Sequence, residues 1–283
     1  MSRQNFIAPE TLSALLADGA DDLRIVDASW YLPSLKRNGA EEYLERRIPQ
    51  AQYFDIKKIS DQNNPLPHML PSAADFGEAV GKMGVSTADH IVIYDGRGIF
   101  SAARAWWMFK IMGAVNVQVL EGGFDRWQLG EFPVETGAPA RVEPSVFLAR
   151  LDAGKVCHIA DIRANIKSQK SLILDARPQV RFSGEAKEFR AGLNSGHMPG
   201  AKSLPIATIQ SDGRLRDTHE LSTIFEKLGV DNDTHIITTC GSGVTAAIIT
   251  MALETIGHTN NSLYDGSWSE WGQAENAPYV TGA

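Results

Sequence analysis

The chain has 283 residues, enough for one large domain or two ordinary ones and for a core that needs no disulfide or metal staple. Hydrophobic residues make up 43% and charged residues 22%, an ordinary globular balance, and the formal net charge of −7 argues against non-specific nucleic-acid binding. The two cysteines, Cys157 and Cys240, form no CxxC pair and no zinc-type His/Cys spacing, which excludes a disulfide framework and gives no metal site. The opening MSRQNFIAPE has no apolar h-region and no run reaches membrane-spanning length, so a cytoplasmic protein is expected.

In chain order, Leu23–Ala28 reads as a strand. Ser72-Ala73-Ala74-Asp75 reads as a capping box opening a helix that ends before Gly84. Strand Ile91–Tyr94, apolar helix Ala103–Met112 closed by Gly113, and strand Val117–Leu120 follow. The same order then recurs. Strand Leu172–Asp175 comes first, and Asp217-His219-Glu220 opens a helix ending near Gly229. Strand Ile236–Thr239, helix Thr245–Ile256 closed by Gly257, and strand Ser262–Tyr264 complete the series.

The recurrence is a duplication. Gly84–Gly98 and Gly229–Gly243 align without a gap: both read GV, then HI, then a β-branched run, then GxG. Ile25-Val26-Asp27-Ala28 matches Ile173-Leu174-Asp175-Ala176, and Ile48-Pro49-Gln50-Ala51 matches Met198-Pro199-Gly200-Ala201. Gly122–Trp127 matches Gly266–Trp271. Two domains are expected, roughly residues 5–136 and 153–280, joined by a linker at 137–152 whose breakers are Gly137, Pro139 and Pro144. Alternating strands and helices predict an α/β fold with an open, mostly parallel sheet in each half, its site at the carboxyl ends of the strands.

Asp95 and Cys240 stand at such ends and at matching positions. After Cys240 come Gly241 and Gly243 in a tight turn, then Val244 and Thr245 at the start of a helix. The N–H groups of such a loop, with the helix N-terminus behind them, form a cradle for an anion and favour a thiolate nucleophile. A persulfide is a second sulfur anion suited to the same cradle. A free cysteine is more often a small buried core residue, and Cys157 reads that way. Ser242 and Thr245 can hydrogen-bond a sulfur anion or relay a proton, or simply cap the helix. The CxxxxxR phosphatase loop is excluded, since Ala246 stands where its arginine would be.

These residues resemble the rhodanese superfamily, in its two-domain 3-mercaptopyruvate sulfurtransferase branch. The resemblance rests on CGSGVTA at Cys240–Ala246, DAR at Asp175–Arg177, RF at Arg181–Phe182, GHMPGA at Gly196–Ala201 and DGSWSEW at Asp265–Trp271. In the first half it rests on ASWYLP at Ala28–Pro33, PHMLP at Pro67–Pro71 and SAxRAWWM at Ser101–Met108. It implies tandem rhodanese-like domains of which only the second is catalytic. It also implies that Cys240 carries sulfur from 3-mercaptopyruvate to a thiol, a thioredoxin-like protein or cyanide, releasing pyruvate, with no metal or organic cofactor. Arg181 and Arg190 are implied to bind the donor's carboxylate and keto oxygen, with Ser242, the loop residues Gly241, Gly243, Val244 and Thr245, and His68 also at the site. Thiosulfate:cyanide transfer, or a non-metabolic sulfur-relay or interaction module, are the alternatives. The neutral loop argues against thiosulfate, because the relatives that prefer it carry two basic residues where Gly241 and Ser242 stand. The chain departs from the family at Lys57, where some relatives have an acidic residue, at Arg47-Ile48-Pro49-Gln50 in place of HIPG, and at Phe189, where proline is usual. An intact Ser–His–Asp relay is therefore not expected.

Overall fold

The structure, a computed structural model, describes residues 5–282. The chain divides into two units. One holds the chain up to Gln62 with Leu70–Asp152 and Asp212–Arg214; the other holds Asn63–Met69, Ala153–Ser211 and the chain from Leu215 onward. His68 thus groups with the second unit although it lies in the first half of the sequence.

The first unit runs β1 (Phe6–Ile7), α1 (Pro9–Ala17), β2 (Leu23–Asp27), α2 (Gly39–Glu45), β3 (Gln52–Tyr53), α3 (Ala73–Lys82), β4 (His90–Tyr94), α4 (Ser101–Ile111), β5 (Asn116–Leu120) and α5 (Gly123–Leu129). Its five strands are all parallel, in the order β1-β5-β4-β2-β3. The second unit repeats this with β6 (Val156–Cys157), α6 (Ile159–Ser168), β7 (Ser171–Asp175), α7 (Gln179–Phe182), β8 (Lys202–Ser203) and α8 (Ile206–Ile209). After the ribbon strands β9 (Gln210–Ser211) and β10 (Arg214–Leu215) come α9 (Thr218–Lys227), β11 (His235–Thr239), α10 (Ala246–Thr255), β12 (Asn261–Tyr264) and α11 (Ser267–Trp271). The parallel order β6-β12-β11-β7-β8 is that of the first sheet.

A parallel sheet covered on both faces needs strands that are apolar throughout. In β4, Ile91, Val92, Ile93 and Tyr94 are all fully buried. In β11 the pattern turns half polar: Thr238 and Thr239 are as deeply buried as Ile236. Thr238 meets its need through Thr250 Oγ1 at 2.9 Å on α10, and Thr239 through Ser267 Oγ at 3.3 Å. The helix after each central strand, α4 or α10, is buried nearly all round, which its Ala- and Ile-rich sequence permits. Burial of Ile248 and Ile249 stabilises the second unit by ~1.5–3 kcal/mol each. The duplicated tryptophans keep a duplicated bond: Trp127 Nε1 donates to Pro133 O at 2.8 Å and Trp271 Nε1 to Pro278 O at 2.9 Å.

Candidate active site

Strand β11 ends at Thr239, and the chain passes through Cys240-Gly241-Ser242-Gly243-Val244-Thr245 before α10 begins at Ala246. Cys240 is buried, as are Ser242 and Val244. Gly243 takes φ +75°, the left-handed conformation that a tight turn needs and that favours glycine. Gly241 lies under Arg181: a Cβ there would stand 3.3 Å from Nη2, close enough that the end of the arginine would have to shift by a few tenths of an ångström.

The loop is strapped from below by the segment that opens α11. Ser267, wholly buried, accepts N–H bonds from Cys240 at 3.2 Å and Gly243 at 3.1 Å, and its own hydroxyl donates to Tyr264 O at 2.8 Å. It does so from φ +50°, a strained value for a residue with a Cβ. Trp268 N donates to Cys240 O at 2.9 Å and Ser269 N to Gly241 O at 2.9 Å. The Gly243 N–H is therefore spent on Ser267, and Gly243 serves the turn rather than an anion. The sequence marked Gly266–Trp271 as duplicated but gave no role to Ser267 or Ser269. The signal was there: Ser267 stands where the first half has Gly123, which also lies at positive φ.

Three arginines and two carboxylates flank the loop. Arg177 Nε and Nη2 grip Asp175 at 2.7–3.1 Å, and its Nη2 also reaches Gly196 O at 2.8 Å. Arg177 Nη1 donates to Glu188 Oε1 at 2.8 Å, and its guanidinium lies 4.2 Å from the Trp268 ring centre. Glu188 in turn grips Arg181, through Nε at 3.2 Å and through Nη2 to Oε2. The Asp175, Arg177 and Glu188 side chains are 1–2% exposed, and that of Arg181 is 12% exposed. Arg181 therefore presents only its Nη1 edge for a new partner. Arg190 is exposed overall, and Nη1 makes a part-buried bond to Ser269 Oγ at 3.3 Å. Burial of its charged end lowers its pKa from the ordinary arginine value, while the charge of Cys240 works the other way. The Ser269 hydroxyl donates to Gly241 O at 2.5 Å, tying Arg190 to the loop backbone.

His68 is buried at φ +61°, and its Nδ1 shares a hydrogen bond with Ser242 Oγ at 3.2 Å. Lys57 is exposed. Thr245 occupies the N-cap position of α10 without making a side-chain cap bond. Cys157 lies in β6, where burial pushes its thiol up to about 12, the behaviour of a packing residue. Arg47, which departs from the family pattern, is buried in the first unit and donates to Gly137 O at 2.6 Å and Ala138 O at 3.1 Å. Among the described residues, no group of three or more His, Cys, Asp or Glu is placed to hold a metal ion, and no helix is long and apolar enough to cross a membrane.

A buried cysteine at the end of a central parallel strand, with a hydroxyl-supported loop and an open guanidinium beside it, defines a site for cysteine nucleophilic chemistry. Residues 8–129 and 158–274 each match the rhodanese-like domain family, and the chain belongs to that family. The 3-mercaptopyruvate sulfurtransferase of Escherichia coli strain K12 is 41% identical over 266 residues, covering 93% of this chain and 94% of that protein. The mitochondrial thiosulfate/3-mercaptopyruvate sulfurtransferase 1 of Arabidopsis thaliana is 37% identical over 278 residues, covering 91% of this chain and 73% of that protein. The crystal structure of the 3-mercaptopyruvate sulfotransferase SseA from Escherichia coli has TM-score 0.85 and 38% identity, covering 94% of this chain and 100% of that chain.

Proposed function

We propose that this chain is a 3-mercaptopyruvate sulfurtransferase that carries sulfur as a persulfide on Cys240. The observation that carries this reading is the side-chain-neutral loop Cys240–Val244 beside the open guanidinium of Arg190. In the first half-reaction the Cys240 thiolate attacks the donor sulfur. An S–S bond forms, the donor C–S bond breaks, and the thiol proton ends on the methyl carbon of pyruvate. In the second, the outer sulfur passes to a thiol, to a thioredoxin-like protein, or to cyanide as thiocyanate, and the thiolate returns. This scheme needs no metal or organic cofactor. Arg190 takes the donor carboxylate, a planar fork suited to it, and the free edge of Arg181 takes the keto oxygen. Ser242, paired with His68, handles the proton that moves from sulfur to carbon. A carrier cysteine must stay reduced, which supports the cytoplasm as its place.

The first unit supplies an internal reference for the anion cradle. Asp95 stands where Cys240 does, and its carboxylate accepts the N–H groups of Arg97 at 2.7 Å and of Phe100 and Ala102 at 2.8 Å each. The matching donors in the second unit are Ser242, Thr245 and Ala247, and we assign them to the persulfide. The test is a comparison of donors with cyanide as common acceptor. kcat/KM with 3-mercaptopyruvate should exceed that with thiosulfate by ~10-fold or more. A preference for thiosulfate would overturn the donor assignment and leave the family unaffected.

A further inference from the structure

Glu188 has no assigned role, yet it is one of the most enclosed charges around the loop, with its side chain 2% exposed. It bridges two arginines, one of which lies directly over Gly241, the residue after the nucleophile. Counting ion pairs around the loop, Asp175 is matched by Arg177 and Glu188 by Arg181, which leaves Arg190, bonded to Ser269, as the arginine outside those pairs. The donors differ in charge: 3-mercaptopyruvate with its thiol protonated is a monoanion and thiosulfate a dianion. We propose that Glu188 sets the donor charge this site accepts: by neutralising Arg181 it leaves Arg190 as the one flanking arginine outside a carboxylate pair, which suits a monoanion and penalises a dianion. The proposal rests on the donor reading given above.

The physical reason is that charges at short range in an enclosed site are screened little by salt. A carboxylate touching Arg181 therefore cancels most of what that arginine would offer a second negative charge. The same carboxylate uses up the two-pronged Nε/Nη2 edge of Arg181, so only Arg190 has a fork left for a carboxylate. The specificity thus lies in an acidic side chain behind the arginines as well as in the absence of basic residues from the loop.

The test is Glu188→Gln, measured with both donors and cyanide as acceptor. The expected result is a rise of about tenfold in the ratio of kcat/KM for thiosulfate to that for 3-mercaptopyruvate, since the site gains one net positive charge. Because the charge is enclosed, raising the salt should leave most of the rise in place. A merely structural role would lower both donors together and leave the ratio alone, as Glu188→Asp, which keeps the charge, should do. Should Glu188→Gln fail to fold, Glu188→Ala, which removes the same charge with a smaller side chain, should raise the ratio in the same direction. An unchanged ratio in a folded variant that lacks the Glu188 charge overturns the proposal. Failure of the underlying donor reading would show differently, as an unmodified protein that already prefers thiosulfate.

Discussion

After β4 the chain reads Asp95-Gly96-Arg97-Gly98, and after β11 it reads Cys240-Gly241-Ser242-Gly243. Both loops lead into a buried helix in the same register, and both have an arginine over the first glycine. In the first unit Arg37 Nη2 lies 3.3 Å from where a Cβ on Gly96 would be, and Glu42 grips Arg37 with two bonds of 2.7 Å. The frame is shared; what differs is the group it holds. Asp95 is a fixed carboxylate that consumes the loop's own donors, so the first loop is filled by its own side chain. Cys240 carries no such carboxylate, and in the proposed reading the matching donors serve a sulfur anion that comes and goes. A second difference lies one strand away. Asp175 is paired with Arg177, but its counterpart Asp27 has Ser29 at the matching position, whose backbone N–H donates to it at 2.8 Å. Burial with no cation beside it pushes the Asp27 carboxyl up to about 6, with the Ser29 and Tyr94 hydrogen bonds opposing the rise.

Cys240→Asp converts the second loop into the first and should have the largest effect. Sulfur transfer should fall by at least ~1000-fold. The unit should stay folded, because the new carboxylate can accept the same N–H groups that Asp95 does. A melting temperature far below that of Cys240→Ser would break the equivalence of the two loops. Arg177→Ser gives the second unit the first unit's residue at that position. It strands Asp175 and half of Glu188 without a cation, and should cost about 3–5 kcal/mol by chemical denaturation. A cost under ~1 kcal/mol would mean that the arginine is not what compensates the buried Asp175 side chain.

The smallest effect is on pH. Asp27 binds its proton more tightly folded than unfolded, with about 6 against an ordinary 3.8. Between those values the native state holds the extra proton, so stability falls as pH rises through that window, by at most about 3 kcal/mol for this group. Asp27→Asn cannot ionise. It should flatten that part of the stability–pH curve and leave the protein more stable at pH 7, with sulfur transfer unchanged. An unaltered slope between pH 4 and 6 would contradict the assignment.

The sequence made the inner strands readable because each is four or five residues long and carries apolar residues, and β2, β4, β5, β7, β11 and β12 begin within a residue of where the pattern places them. The edge strands β1, β3, β6 and β8 are two residues long, too short for any periodicity, and are set by pairing with a neighbour. Cys240 was legible from its place between a strand and a glycine turn. Glu188 was not: it sits in a charged stretch that reads as solvent-facing, and only the fold brings Arg177 and Arg181 to either side of it. Gln50 shows the converse. It departs from the family's glycine, yet the backbone keeps the left-handed turn at φ +65°, beside +80° at the matching Gly200, so the duplicated geometry survives a residue that fits it poorly.

The central claim is that sulfur resides on Cys240 between donor and acceptor. Mass spectrometry of the intact protein and its peptides, after incubation with 3-mercaptopyruvate and no acceptor, tests it directly. The account expects a gain of ~32 Da, one sulfur, on the peptide carrying Cys240, lost on adding cyanide with release of thiocyanate, and no gain on the Cys157 peptide. Turnover with the Cys240 peptide unmodified, or the added sulfur found on Cys157, would contradict it.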